Sequence, residues 1–304
     1  MWRHRGSPPS WDDRRVPRQR KPDSRSPRGD AVRGTWSPWV EFTTTAIGHP
    51  PHEAGLYRIR TSDAATLAYL GQTGRGLRER LLGLRRGTFA EAMPYNDPHT
   101  AAPGLWAFRN EESVAYEVSW MPMPEAAERD LHTAEARELA DHRLTHGVST
   151  LLNHGRHHRY WTRPSNRDGG LGRRGERRLV PEPYESAPTL PRQGVVGQDG
   201  WMGLRWSSSN DLRPGPPATP DSPGLYLLTH DGEVIYIGQS RSIRQRVRAH
   251  GRSDWPAGTT VRWSNLSCDA PPHQLLELEA DLLGAYIAAN GTAPIGQFSG
   301  WKTL

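Results

Sequence analysis

Gly224-Leu225-Tyr226-Leu227-Leu228-Thr229-His230-Asp231-Gly232-Glu233-Val234-Ile235-Tyr236-Ile237-Gly238-Gln239-Ser240 reads as a β-hairpin, with apolar runs at 225–229 and 233–237 on either side of a His-Asp-Gly turn signal. Loop length decides where the two tyrosines point. A two-residue loop sets Tyr226 opposite Ile237 and sends the rings to opposite faces, because side chains alternate along a strand. A three-residue loop with Gly232 in the left-handed region places Tyr226 directly across from Tyr236. The expectation is a three-residue loop with both rings on one face.

The same words occur earlier in the chain. Gly55-Leu56-Tyr57 matches Gly224-Leu225-Tyr226, and Tyr69-Leu70-Gly71-Gln72-Thr73 matches Tyr236-Ile237-Gly238-Gln239-Ser240. Each is followed by a short basic amphipathic segment, Leu77-Arg78-Glu79-Arg80-Leu81 and Ile243-Arg244-Gln245-Arg246-Val247, for which Thr73 and Ser240 are the expected helix caps. Further on, Glu135 precedes Gly147 by 12 residues and Asn153 by 18, and Glu279 precedes Gly291 and Gln297 by the same 12 and 18. An internal repeat therefore sets the architecture. The first copy is longer by roughly 20 residues around Glu91 to Glu117, a candidate specificity element.

Residues 275–288 read as a helix on whose apolar stripe Glu279 sits among leucines, while Glu277 shares its side with Asp281 and Gly284. Glu135 likewise has Leu131 and Leu139 on its own face. A carboxylate on an apolar stripe is the informative one, because burying it is costly unless it has work to do.

The division that follows is a basic tail at 1–35, a first module at 36–160, a Pro/Gly/Arg-rich linker at 161–200 and a second module at 201–304. Hydrophobic content of 35% with 27 Pro and 31 Gly predicts that tail and linker are disordered. The net charge of +6 is unevenly placed. Residues 1–35 carry ten Arg/Lys against four Asp, and 156–178 carry eight Arg against Asp168 and Glu176, which suits loose tethering to phosphate. Cys268 is the only cysteine, which excludes an internal disulfide and fits a reducing, cytoplasmic compartment. No run approaches the roughly 18 apolar residues of a membrane span, so no membrane partner is expected.

Gly-Leu-Tyr, Tyr-(Leu/Ile)-Gly, an Arg on the next helix and a Glu on a later one, in that order and twice over, resemble the GIY-YIG nuclease superfamily. The resemblance covers both modules and leaves tail and linker aside. It implies an α+β fold of two such domains, each a small three-stranded antiparallel sheet flanked by helices. It also implies phosphodiester hydrolysis in DNA, with RNA not excluded as partner, and one Mg²⁺ or Mn²⁺ held by Glu135 and another by Glu279. Carried over position by position, the catalytic residues are Tyr57, Tyr69, Arg80, Glu135 and Asn153 in the first module. In the second they are Tyr226, Tyr236, Arg246, Glu279 and Gln297, the last departing from the family's asparagine.

This chemistry suits these residue types. Negative charge grows on phosphate oxygens as the nucleophile adds, and a guanidinium or a cation placed there favours the transition state over the ground state. In the family the first tyrosine takes the proton from water, and a phenol with pKa about 10 then needs neighbouring positive charge to ionise. Two rival readings keep the residues and change the role. One is a nucleic-acid-binding protein with one or both sites inactive. The other is a structural or interaction protein whose modules merely hold the tail and linker. Separately, a zinc site is conceivable in the histidine-rich stretch His132, His142, His146, His154, His157 and His158, for which no third ligand has diagnostic spacing. Trp161 and Trp201 are candidate stacking groups for exposed bases.

Overall fold

The computed structural model describes residues 34–43, 47–48, 50–167, 170–213 and 219–298. Of the basic tail assigned to 1–35, all but Gly34 and Thr35 lie outside the described residues. The fold is mixed α+β, with two four-stranded antiparallel sheets and five helices among the described residues.

The first sheet is built from β1 (Val40–Glu41), β2 (Gly55–Thr61), β3 (Leu67–Thr73) and β4 (Tyr116–Pro122), in the order β1-β4-β2-β3. Helices α1 (Leu77–Thr88), α2 (Ala102–Glu112) and α3 (Glu128–His146) accompany it. The second half repeats the plan without the counterpart of α2. Strands β5 (Asn210–Asp211), β6 (Gly224–His230), β7 (Glu233–Ser240) and β8 (Thr260–Asn265) run β5-β8-β6-β7, with helices α4 (Ile243–Gly251) and α5 (Pro272–Asn290). Each sheet thus has four strands where three were expected. The extra ones, β1 and β5, are two-residue edge strands too short to leave an alternating pattern in the sequence. The insertion around Glu91 to Glu117 supplies α2.

The hairpins correct the expected loop. His230 pairs with Glu233, so the loop is the two-residue Asp231-Gly232 turn, with both residues at positive φ. Thr229 then pairs with Val234 but Leu228 with Tyr236, so Ile235 is an extra residue, a β-bulge that shifts the register by one. In the first half Arg60 pairs with Leu67 and Ile59 with Tyr69, which makes Ala68 the bulged residue. Two parity changes cancel, and the tyrosines share a face as expected. They are diagonal rather than directly opposite: Tyr57 faces Gly71 and Tyr226 faces Gly238. This explains the glycine of each Tyr-x-Gly. A Cβ on Gly71 would stand 2.7 Å from the Tyr57 hydroxyl, and one on Gly238 would stand 2.3 Å from that of Tyr226.

The caps also differ from expectation. Ser242, not Ser240, caps α4 by accepting the Gln245 amide, while Ser240 Oγ accepts the Ser242 amide. Gly76 precedes α1 with no side-chain cap, and Thr73 Oγ1 accepts the amide of Arg75. In both places the hydroxyl organises the turn leading into the helix rather than the helix itself.

The two halves pack on each other through α3 and α5. Ala140 follows Glu135 by five residues, as Gly284 follows Glu279, and these equivalent points meet: a Cβ on Gly284 would stand 2.1 Å from that of Ala140. Contact between equivalent positions marks a two-fold arrangement of the repeat. Glu277 and Asp281, placed by helical spacing on the polar side of α5, are buried in this seam. Arg143 of α3, with its side chain fully buried, donates to Asp281 through Nε at 2.7 Å and Nη2 at 3.0 Å, and lies 3.4 Å from Glu277. Arg156 donates to Glu277 at 2.7 Å.

The segment 161–200, expected as a disordered linker, is part of this structure. Ala187 and Leu190 donate their amides to Glu277 and Asp281 in the seam, and 161–167 and 173–178 fold back on the first half. Trp161 packs edge-on against Trp106 and is half-buried, while Trp201 is buried beside Trp206 and is not offered to a base.

Candidate active site

In each half the tyrosine hydroxyls and the guanidinium meet. Arg80, on the second turn of α1, donates through Nε to the Tyr57 hydroxyl at 2.9 Å; Arg246, at the same place on α4, donates to Tyr226 at 3.0 Å. The ring centroids of Tyr57 and Tyr69 are 6.0 Å apart, as are those of Tyr226 and Tyr236. Glu135 acts electrostatically on Tyr57, Tyr69 and Arg80, and Glu279 on Tyr226. In each module the arginine therefore meets the first tyrosine, the second tyrosine lies beside them, and the glutamate is near enough to act on the group electrostatically.

The fifth residue assigned to each module does something else. Asn153 takes the Leu70 amide on Oδ1 at 2.9 Å and returns Nδ2 to the Leu70 carbonyl at 2.7 Å. Gln297 takes the amide of Ile237 at 3.2 Å. Leu70 and Ile237 are the middle residues of Tyr-Leu-Gly and Tyr-Ile-Gly, so both side chains clamp the outer strand that carries the second tyrosine. Asparagine and glutamine serve this purpose alike, the longer side chain with one bond in place of two.

Exposure separates the paired tyrosines. Tyr57 and Tyr226 are fully buried, whereas Tyr69 and Tyr236 are half-buried. Burial, reinforced by the neighbouring tyrosine, pushes the Tyr57 and Tyr226 phenols up, against the lowering effect of Arg80 and Arg246. Local positive charge was expected to favour a phenolate; desolvation wins instead, and both inner phenols keep their protons at neutral pH. The inner tyrosine holds the arginine, and the outer one keeps part of its surface exposed.

Two histidines complete the sites and escaped the sequence reading. His250 Nδ1 accepts the indole N–H of Trp255 at 3.1 Å, and its Nε2 lies 2.9 Å from the Tyr226 hydroxyl. Burial and the adjacent Arg246 lower its pKa to about 4, so it is neutral. An indole only donates, so the proton of the neutral ring stands on Nε2 and is donated to Tyr226. Arg246 and His250 stand four apart on α4, a pairing visible in the sequence once the helix is accepted. In the first half His99, from the loop between α1 and α2, accepts from Arg80 Nη1 on Nδ1 at 2.9 Å; burial and then Arg80 lower its pKa to about 4. No spacing rule links His99 to Arg80.

No protein-family model, curated protein or solved structure matches the chain.

The carboxylates differ in their surroundings. Glu279 lies between buried Leu278 and Leu282 on α5, and burial raises its pKa to about 7, against the lowering effects of Arg246 and the Gln239 backbone. Glu135 is half-buried with His132 Nδ1 at 3.7 Å. Among the described residues no three His, Cys, Asp or Glu side chains converge to hold a metal ion. The ring centroids of His142 and His146 are 4.6 Å apart, but no third partner joins them, so the zinc reading has no ligand set there.

The raised pKa of Glu279 has a measurable consequence for stability. A carboxyl whose folded pKa lies above its ordinary value near 4.5 favours the fold most below that value, and stability is lost as pH rises through 4.5 toward 7. Glu279→Gln removes the loss, since the amide oxygen can still accept the Gln239 N–H. At pH 8 the variant is expected to unfold with a free energy about 1–3 kcal/mol higher than the parent, and at pH 4 with the same one. Urea titrations at the two pH values check this, and a variant less stable at pH 8 contradicts it.

Proposed function

We propose that the protein is a GIY-YIG-type endonuclease that hydrolyses phosphodiester bonds in DNA, with one catalytic centre in each half. The observation that carries this is the repeated junction of a buried tyrosine, a half-buried tyrosine and an arginine anchored on the first hydroxyl at 2.9 and 3.0 Å, with a helix-borne glutamate in electrostatic reach. A lone arginine-tyrosine contact is common, but the same four-residue set built twice, on opposite sides of a two-fold seam, is not expected of packing alone.

The residues fit a divalent cation. A carboxylate buried enough to have its pKa raised to about 7 lacks compensating charge, and one carboxylate suffices for Mg²⁺ or Mn²⁺, whose shell is completed by water and phosphate. Glu135 and Glu279 would hold the ions, which when bound supply charge neutralisation at the scissile phosphate. The chain's own groups do the rest. In Arg80, Nε is engaged by Tyr57 and Nη1 by His99 and the Pro98 carbonyl, which leaves Nη2 as the edge turned to a phosphate oxygen. As water attacks phosphorus and the bond to the leaving oxygen breaks, the water's proton is lost to solvent and the leaving oxygen takes one up from solvent, while the tyrosine hydroxyls, which keep their own protons, orient the attacking water. Tyr69 and Tyr236, the half-buried members of the two pairs, are the ones that would border this water.

Supercoiled plasmid with Mg²⁺, with and without EDTA, tests the assignment. The parent is expected to yield linear product, Glu135→Gln and Glu279→Gln to yield nicked circles, and the double variant to leave the plasmid intact. Cleavage by the double variant at the parent's rate refutes the assignment, and binding without cleavage by the parent leaves a nucleic-acid-binding protein with the same fold.

A further inference from the structure

The arginine-rich stretch after Arg156 is a built element. Residues 161–166 and 173–178 run antiparallel: Trp161 bridges Arg177, the Thr162 amide donates to the Glu176 carbonyl at 2.9 Å, and the Ser165 amide to that of Arg173 at 3.0 Å. The hairpin is fastened to the first half at several points. Trp161 Nε1 donates to Glu111 at 3.0 Å, and Arg177 donates to both oxygens of the same carboxylate. Asn96 donates its amide to the Ser165 carbonyl at 3.2 Å, and Asp97 accepts the Arg167 amide at 2.7 Å. The next two residues of that loop, Pro98 and His99, are the ones that hold Arg80.

Along this hairpin Arg163, Arg167, Arg173 and Arg174 are exposed, and none forms an ion pair among the described residues. Arg163, Arg173 and Arg174, with Glu176, border a cleft of about 340 Å³, and Arg167 and Arg174 lie over the ring of Tyr95 at 5.5 and 4.8 Å. Four guanidinium groups outnumber the nearby carboxylates of Glu176 and Asp97, and the surplus positive charge costs self-repulsion that a polyanion relieves; a guanidinium also matches phosphate oxygens two at a time.

We infer that the 161–178 hairpin is a phosphate-gripping arm that seats the duplex backbone beside the site of Tyr57, Tyr69 and Arg80, and so serves the first site rather than the second. The inference rests on the nucleic-acid reading above and adds to it the place where the backbone runs. Its partner is the phosphodiester backbone of a duplex, held without regard to base sequence.

The test uses full-length protein carrying Glu135→Gln and Glu279→Gln, so that binding is read without cleavage, and a 30-base-pair duplex followed by fluorescence anisotropy over a range of salt concentrations. Arg163→Gln/Arg167→Gln/Arg173→Gln spares Arg174, which donates to the Met93 carbonyl. The triple variant is expected to bind roughly tenfold or more weakly near 150 mM salt, and the slope of log affinity against log salt is expected to fall by about 3, close to one for each phosphate no longer neutralised. An unchanged slope in a protein that otherwise binds with steep salt dependence overturns the arm and leaves the nuclease reading standing. A parent with no salt-dependent binding overturns both. In cleavage-competent protein, the triple change is expected to raise KM with little effect on kcat when only the first site is intact (Glu279→Gln). With only the second site intact (Glu135→Gln) it is expected to alter KM by less than twofold, and equal effects on the two sites contradict the placement.

Discussion

Replacing Arg143 by Ala is expected to lower the unfolding free energy by about 3–5 kcal/mol, the cost typical of stripping one partner from a buried ion pair. The side chain is fully buried and holds the seam from five directions: both oxygens of Asp281, the Ser149 hydroxyl at 2.8 Å, the Ala187 carbonyl at 3.2 Å, and Glu277 at 3.4 Å. Its loss leaves Asp281 with the Leu190 amide alone and Glu277 with Arg156 and the Ala187 amide. The same seam weakens in acid. Against burial, which pushes it up, the Ala187 amide, Arg156 and Arg143 hold the Glu277 carboxyl below its ordinary value. Its contribution is complete above that value and disappears as pH falls through the depressed one. Urea unfolding at pH 7 measures the Arg143→Ala effect, and a loss under 1 kcal/mol means that the halves do not depend on this seam. Two independent folds on a flexible connector would behave in that way.

What the sequence made legible follows from periodicity. Alternating apolar residues placed the two hairpins, and an acidic residue on a leucine stripe picked out Glu135 and Glu279 against their neighbours Glu138 and Glu277. The seam was not legible for a physical reason. Glu277, Asp281 and Gly284 line up on one side of α5, and a polar side that buries itself against a complementary arginine has the same spacing as one that faces water. The bulges at Ala68 and Ile235 leave no compositional trace either, because both residues are as apolar as the strands around them. The shared face of the tyrosines was therefore expected for one reason and obtained through another. Asn153 and Gln297 were legible as a matched pair by spacing, but their use as clamps on Leu70 and Ile237 depends on how the chain returns after each long helix, which spacing does not encode. His99 belongs to the same class, brought to Arg80 by a loop without periodicity.

The proposed chemistry makes its sharpest demand on the guanidinium. Arg246→Lys, assayed with only the second site intact (Glu135→Gln), is expected to lower kcat by about 10²–10³, the range associated with losing one transition-state hydrogen-bond donor, with a smaller change in KM. Lysine keeps the positive charge, so a purely electrostatic role predicts little loss. It has no planar Nε to bond the Tyr226 hydroxyl while presenting further N–H groups outward, and it is that two-sided geometry the site is built to hold. His250 on the other side of the same hydroxyl, fixed by Trp255, would then be left holding a tyrosine with nothing to orient. Arg80→Lys in the first site, read with Glu279→Gln, is expected to show the same fall. There Pro98 and His99 are also deprived of their Nη1 hydrogen bonds, so KM rises as well. If lysine at both positions supports cleavage within a few-fold of the parent, the arginine serves only to pack the tyrosine pair, and transition-state stabilisation must be sought in other residues.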